Sequence, residues 1–179
     1  MRVIISGSAG SGKSTAAKAI AKHFKLRHIS AGDKARDIAK SLGFKTSGAD
    51  YLKFHEYIKS HTSIDKKLDN LVIKELRKGN CVIDSRITAY LFKGKAYKIY
   101  LKVPEEVAAK RNSVREGVSF NEALTSIKKR NNEDAKRYKK LYNIDVNDLS
   151  VYDLVLDTSN FNINNMNNTL FSVLRKVLK

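Results

Sequence analysis

Arg2-Val3-Ile4-Ile5-Ser6 runs directly into Gly7-Ser8-Ala9-Gly10-Ser11-Gly12-Lys13-Ser14, and the reading of this junction decides the fold. The first run is short, apolar and stopped by a glycine, the pattern of a buried strand. The second run matches G-x-x-x-x-G-K-[ST] in full. Beyond it, Ala16, Ala17, Ile20, Ala21 and Phe24 recur as one face of a helix that begins near Lys13. Glycines between a strand and a helix let successive backbone N–H groups turn inward, where Cβ atoms would obstruct a close approach. The helix start adds its partial positive charge at the same point. Such a junction suits a phosphate group.

The loop therefore predicts ATP-binding residues Gly7, Ser8, Ala9, Gly10, Ser11, Gly12, Lys13, Ser14 and Thr15. Lys13 is expected to reach the β- and γ-phosphates, and the Ser14 hydroxyl to ligate Mg2+. Working outward, short apolar runs alternate with helical patterns. Leu26 to Ile29, Cys81 to Asp84, Tyr97 to Leu101 and Asp153 to Asp157 read as further strands. Helices are expected over Ala31–Leu42, Gly48–Ser60, Ser63–Arg77 and residues 119–142. Asp65 favours the start of the third of these. Pro104 fits the first turn of another helix. A closing helix carries Met166, Leu170, Val173, Leu174 and Val177 on one face. Strands alternating with helices imply one α/β domain over 1–179, a three-layer arrangement in which a five-stranded parallel sheet has helices on both faces. About seven helices are expected.

The arginines speak to what else the site holds. Arg36 follows the second strand, and Arg86 follows the third directly in Asp84-Ser85-Arg86. Ligands of parallel sheets gather at the carboxyl ends of the strands, so two guanidinium forks there suit an acceptor phosphate. A solvated surface role competes for each. Asp84 can orient a magnesium-bound water. Arg111 and Arg115 share a helix face, as do Arg130, Asp134 and Arg137. An exposed helix with Asp134 bridging its two arginines is the plain reading. Their concentration around the break Glu116-Gly117-Val118 suits instead a lid that brings positive charge onto a transferring phosphoryl group and excludes water.

Composition narrows the alternatives. There are 35 Lys+Arg against 18 Asp+Glu, a formal charge of +17. That field attracts polyanions, among them nucleic acids and nucleotides, and it also fits a general compositional bias. No aromatic-interleaved basic motif of an RNA-binding module accompanies it. The single cysteine, Cys81, sits in an apolar run and reads as a small buried hydrophobe. The four histidines form no metal-ligand spacing. No stretch approaches the ~18 consecutive apolar residues of a membrane span, so no membrane partner is expected. The N-terminus lacks the pattern of a secretory signal, and the expectation is a cytoplasmic protein.

These residues resemble the archaeal-type cytidylate kinases, a branch of the nucleoside monophosphate kinases. The likeness is carried by Gly7–Thr15, Ser30–Arg36, Asp84–Arg86, Arg111–Glu116, Arg130–Tyr138 and the segment from Tyr142 to Val155, continuing to Leu156-Asp157-Thr158-Ser159. The resemblance implies a P-loop kinase fold and transfer of a phosphoryl group from ATP to CMP or dCMP. It implies an NMP-binding section about 31–62 and a lid about 112–128. On that likeness Arg36, Arg86, Arg130, Asp134 and Arg137 bind the monophosphate, while Lys13, Arg111, Arg115, Arg130 and Arg137 are catalytic. Ser85 departs from the glycine usual in that family before the third-strand arginine. The partners implied are the small-molecule nucleotides ATP and CMP or dCMP; separately, a monomer with no specific nucleic-acid partner is expected. An adenylate- or shikimate-type kinase, or a nucleic-acid-stimulated ATPase, would share the same loop.

Overall fold

Five parallel strands in the order β2-β3-β1-β4-β5 form the centre of the chain. They are β1 (Arg2–Gly7), β2 (Arg27–Ser30), β3 (Cys81–Asp84), β4 (Tyr97–Lys102) and β5 (Leu154–Asp157). This computed structural model describes residues 1–46 and 48–177, with backbone alone at 48, 49, 51 and 52. Ser47, inside the expected 31–62 section, and residues 178 and 179 lie outside the described residues.

Strand β1 lies in the middle, and its pleat sends alternate side chains to opposite layers. Val3 and Ile5 pack with Ala16, Ala17, Ile20, Leu170 and Leu174, on the side of helices α1 (Lys13–His23) and α8 (Ile163–Val177). Ile4 packs with Ile29, Val72, Leu76, Ile83 and Ala89 on the other side. That layer holds helices α2 (Ala31–Ser41), α3 (Gly48–Ser60), α4 (Thr62–Arg77) and the single turn α5 (Thr88–Leu91). Both faces are covered, which is why β1 reads as a continuous apolar run rather than an alternating one.

Register places the future site. Ser30 pairs across Asp84, and Asp84 across Ile5, while Gly7 pairs with Leu101. The ends of β1, β2 and β3 therefore lie along one edge, and α1, α2 and Arg86 all leave from it. The chain crosses from β1 to β2 on one side and from β3 to β4 past β1 on the other. That makes the end of β1 a topological switch point, where open α/β sheets bind ligands.

Helices α6 (Glu105–Glu116) and α7 (Phe120–Tyr142) form an antiparallel hairpin after β4. Val103, Ala108, Ala109, Ala123 and Ile127 pack between them together with Ala9 of the phosphate loop. Ser119 caps α7, accepting from the Glu122 amide while the Glu122 carboxylate accepts from the Ser119 amide.

Several expectations shift by a residue or more. Pro104 stands just before α6, as its N-cap, rather than in its first turn. Helix α4 begins at Thr62. Val177 is exposed at the end of α8, outside the buried stripe of Met166, Leu170 and Leu174. The described residues hold eight α-helices, one more than the pattern gave, because α5 is too short to show a period.

Candidate active site

The phosphate loop is preformed. Gly12 takes φ +86° and immediately precedes α1, with no side chain capping the helix and no acid in its first turn. The first amides of α1 are thus left to an outside acceptor, and the helix dipole points the same way. Gly10, at φ +75°, lies so close to α6 that an added Cβ would stand 2.7 Å from the Cβ of Ala108. Any side chain there would push the loop off the hairpin. The Ser11 hydroxyl is buried beneath the loop without a protein partner.

Lys13 opens α1, and its ammonium donates to the Ser8 carbonyl at 3.1 Å. Burial pushes it down to about 7, and Arg86 pushes in the same direction, with lesser push from Arg130 and Arg115. Asp84 opposes them. Three guanidinium groups and one carboxylate thus converge electrostatically on the lysine of the loop. Such a cluster of like charges is costly when empty and is relieved by a polyanion.

Asp84, the last residue of β3, is 4% exposed. After it, the Ser85 hydroxyl accepts from the Ile87 and Thr88 amides and from the Thr88 hydroxyl. The Ser85 hydroxyl thus ties down the turn that leads into the short helix, and Arg86 leaves that turn toward Asp134. Burial, then Arg130, push the Arg86 guanidinium down from its ordinary value; it stays a cation at neutral pH.

From Arg86 a line of ion pairs leads outward. Arg86 pairs with Asp134. Asp134 pairs with Arg137 at 2.9 Å, and Arg137 reaches Asp65 of α4 at 3.4 Å. One turn further along α4, Asp69 accepts from the Tyr142 hydroxyl at 2.6 Å. The plain reading of α7 has Asp134 bridging Arg130 and Arg137; it bridges Arg86 and Arg137 instead, because the β3 end intrudes where the helix surface alone would have left solvent. Asp65 and Asp69 are 5% and 7% exposed. Burial raises both carboxyls, that of Asp69 to about 6. Asp65 thus does more than favour a helix start.

Helix α3 closes over this line. His55 is pushed down to about 4 by burial, then by Arg130 and Arg137, so it faces α7 as a neutral ring. At the rim, Lys59 pairs with Glu133 at 3.2 Å, both half-exposed. An exposed pair of this kind contributes about 0–1 kcal/mol.

The remaining expected residues fall in three places. Arg36, one turn into α2, pairs with Asp33, and its guanidinium lies over Gly32. Arg115 is paired with Glu116 at 2.7 Å on the exposed end of α6. Arg111, expected on the transferring group, is engaged with the chain after β5. Its guanidinium donates to the carbonyls of Thr158 (2.5 Å), Ser159 (3.3 Å) and Phe161 (3.4 Å) and to the Thr158 hydroxyl. It pins the connection from β5 to α8, a contact no helical spacing could foretell.

Asn131 was not among the expected residues. Its carbonyl accepts from the Ala9 amide at 3.2 Å, and its amide donates to Glu105 at 3.0 Å. One side chain therefore ties the phosphate loop to both helices of the hairpin. Its position next to Arg130 was the one available sequence signal.

Against this geometry, the family model of the cytidylate kinase-like family matches residues 2–160. The chain belongs to that family. Among relatives, a cytidylate kinase of Pyrobaculum calidifontis is 42% identical over 90% of this chain and 86% of its own length. One of Methanocaldococcus jannaschii is 36% identical over the whole of both chains. Solved structures agree on the P-loop kinase fold. An uncharacterized protein from Eubacterium ventriosum superposes with a TM-score of 0.72 at 18% identity, over 98% of this chain and 99% of its own. Shikimate kinase from Acinetobacter baumannii, in complex with shikimate, gives 0.61 at 13% identity, over 99% and 95%. These likenesses concern the arrangement of strands and helices alone.

Proposed function

We infer that this protein is a cytidylate kinase, transferring the γ-phosphoryl group of ATP to CMP or dCMP to give ADP and CDP or dCDP. The observation that carries the reading is the uncapped start of α1 behind the glycine loop, with the Lys13 ammonium held on the Ser8 carbonyl, at the strand ends from which Arg86 leaves. Family membership names cytidylate as the acceptor.

Residues Gly7–Thr15 would hold the triphosphate, the loop amides and Lys13 bearing on its outer phosphates. Arg86 and Arg36, at neighbouring strand ends, would hold the acceptor phosphate in line. Arg115, Arg130 and Arg137 would neutralise charge as the phosphoryl group passes. Arg111 would act at one remove, through the β5–α8 connection. Little proton chemistry is required; positioning and charge supply most of the rate. The sections 31–62 and 112–128 serve as monophosphate-binding part and lid.

Magnesium fits the donors at hand. The Ser14 hydroxyl in the first turn of α1 and the Asp84 carboxylate at the β3 end are hard oxygen ligands, Asp84 acting through water. No group of three or more His, Cys, Asp or Glu side chains gathers for a metal among the described residues. That suits an ion held mainly by phosphate and water. When bound, it would offset charge on the β- and γ-oxygens. We assign the enzyme to the cytoplasm as a monomer; no helix among the described residues is long and apolar enough to cross a membrane.

A coupled assay of ADP release across CMP, dCMP, UMP, AMP, GMP and shikimate tests the assignment. CMP or dCMP should give the highest kcat/KM. A preference for AMP or shikimate by ten-fold or more would move the chain to another acceptor class.

A further inference from the structure

Eight buried side-chain atoms lack a protein partner among the described residues, and three of them lie on the one line of ion pairs: Arg86 Nη2, Arg137 Nε and Asp65 Oδ2. A buried polar atom without a partner calls for an explanation, and three on one network beside a phosphate-binding loop point to a ligand that completes them. Two are donors, one at the Arg86 end of the line and one on Arg137, the partner of Asp65. The third, on Asp65, is an acceptor at the far end, three ion pairs beyond Arg86. Its own Oδ1 is committed to Arg137, and the side chain is 6% exposed. Asp69, the neighbouring carboxylate, is already answered by Tyr142.

We propose that Asp65 is the base-reading residue of the acceptor site, its free Oδ2 accepting a hydrogen bond from the exocyclic 4-amino group of the pyrimidine. The inference rests on the proposed acceptor being a nucleoside monophosphate. A phosphate on Arg86 leaves the nucleoside extending along the line of ion pairs toward α4. At its far end cytosine presents an amino donor where uracil presents a carbonyl oxygen. A carboxylate held in place by Arg137 attracts the first and repels the second. A buried carboxylate that meets the wrong edge is left unpaired, which is the strongest form of rejection a polar site offers.

Two substrates and two enzymes test this. For the wild type, kcat/KM should fall about 10- to 100-fold when CMP is replaced by its analogue with hydrogen in place of the 4-amino group, the range expected for one charge-assisted bond. In Asp65→Asn that difference should shrink to within about three-fold, and the CMP:UMP ratio should fall by at least about ten-fold, because an amide can donate to the uracil carbonyl. KM for ATP should stay near the wild-type value. Equal losses toward CMP, its analogue and UMP would make Asp65 a mere anchor for Arg137 and overturn the proposal. So would a wild type that uses the analogue as well as CMP, a measurement that stands even if the variant fails to fold. A wild type that phosphorylates no monophosphate would instead remove the function on which the inference rests.

Discussion

Lys13 shows how a single residue can carry both a motif and a measurable consequence. Its place in G-x-x-x-x-G-K-[ST] was legible in the sequence, whereas its electrostatic company was not: Arg86 comes from the turn after β3, Arg115 from α6 and Arg130 from α7. In the empty site burial and those arginines hold its ammonium down at about 7, against the partial compensation of Asp84. Phosphate oxygens favour the charged form and raise it again. The bound state therefore holds more protons than the free state above pH ~7, so affinity for ATP is full below that value and declines as pH rises through it. Calorimetry at pH 8 in buffers of different ionisation enthalpy should register uptake of close to one proton per ATP; zero uptake would mean the lysine is already charged when the loop is empty. Asp65 illustrates the opposite case. Its position in the sequence offers only a favourable helix start, and its burial against Arg137 depends on a helix that is remote in the chain.

Among the elements, strands and the helices with a clear apolar period were readable because each depends on local alternation. β3 has the expected bounds, and the other four strands lie within a residue or so of theirs. What local pattern could not supply was α5, a single turn fixed by the Ser85 hydroxyl, and the way the α6–α7 hairpin meets the phosphate loop. Four arginines near Gly117 suggested a lid; the structure shows a hairpin whose base packs on Ala9 through small alanines, leaving Val114 83% exposed toward its far end. The Ala9–Asn131–Glu105 link then sets where α7 presents Arg130. Asn131→Ala leaves the Ala9 amide unpaired and lets the hairpin drift, so kcat should fall about ten-fold with a smaller change in KM for CMP. Glu105→Ala should lose a similar factor, whereas Glu105→Gln keeps an acceptor and should stay near the wild type. The double variant Asn131→Ala/Glu105→Ala should be no worse than Asn131→Ala, since the two act as one unit. Additive losses would dissolve the link.

At the scale of the whole molecule, the +17 charge was the feature the sequence left most open. Part of it has a local use, in the arginines gathered around Lys13 and along α7. Another part lines a groove on the opposite edge of the sheet, where Arg2, Lys74, Arg77, Lys93 and Lys95 stand without a carboxylate among the lining residues. A polyanion-stimulated ATPase would direct the γ-phosphate to water; a kinase directs it to an acceptor and excludes water while doing so. The fate of that one group separates them most directly. With γ-labelled ATP, magnesium and CMP, label should appear in the β-position of CDP, with little as inorganic phosphate and no stimulation by RNA, and Lys13→Ala should reduce transfer by at least about a hundred-fold. Label released mainly as inorganic phosphate, faster with RNA and indifferent to CMP, would contradict the account.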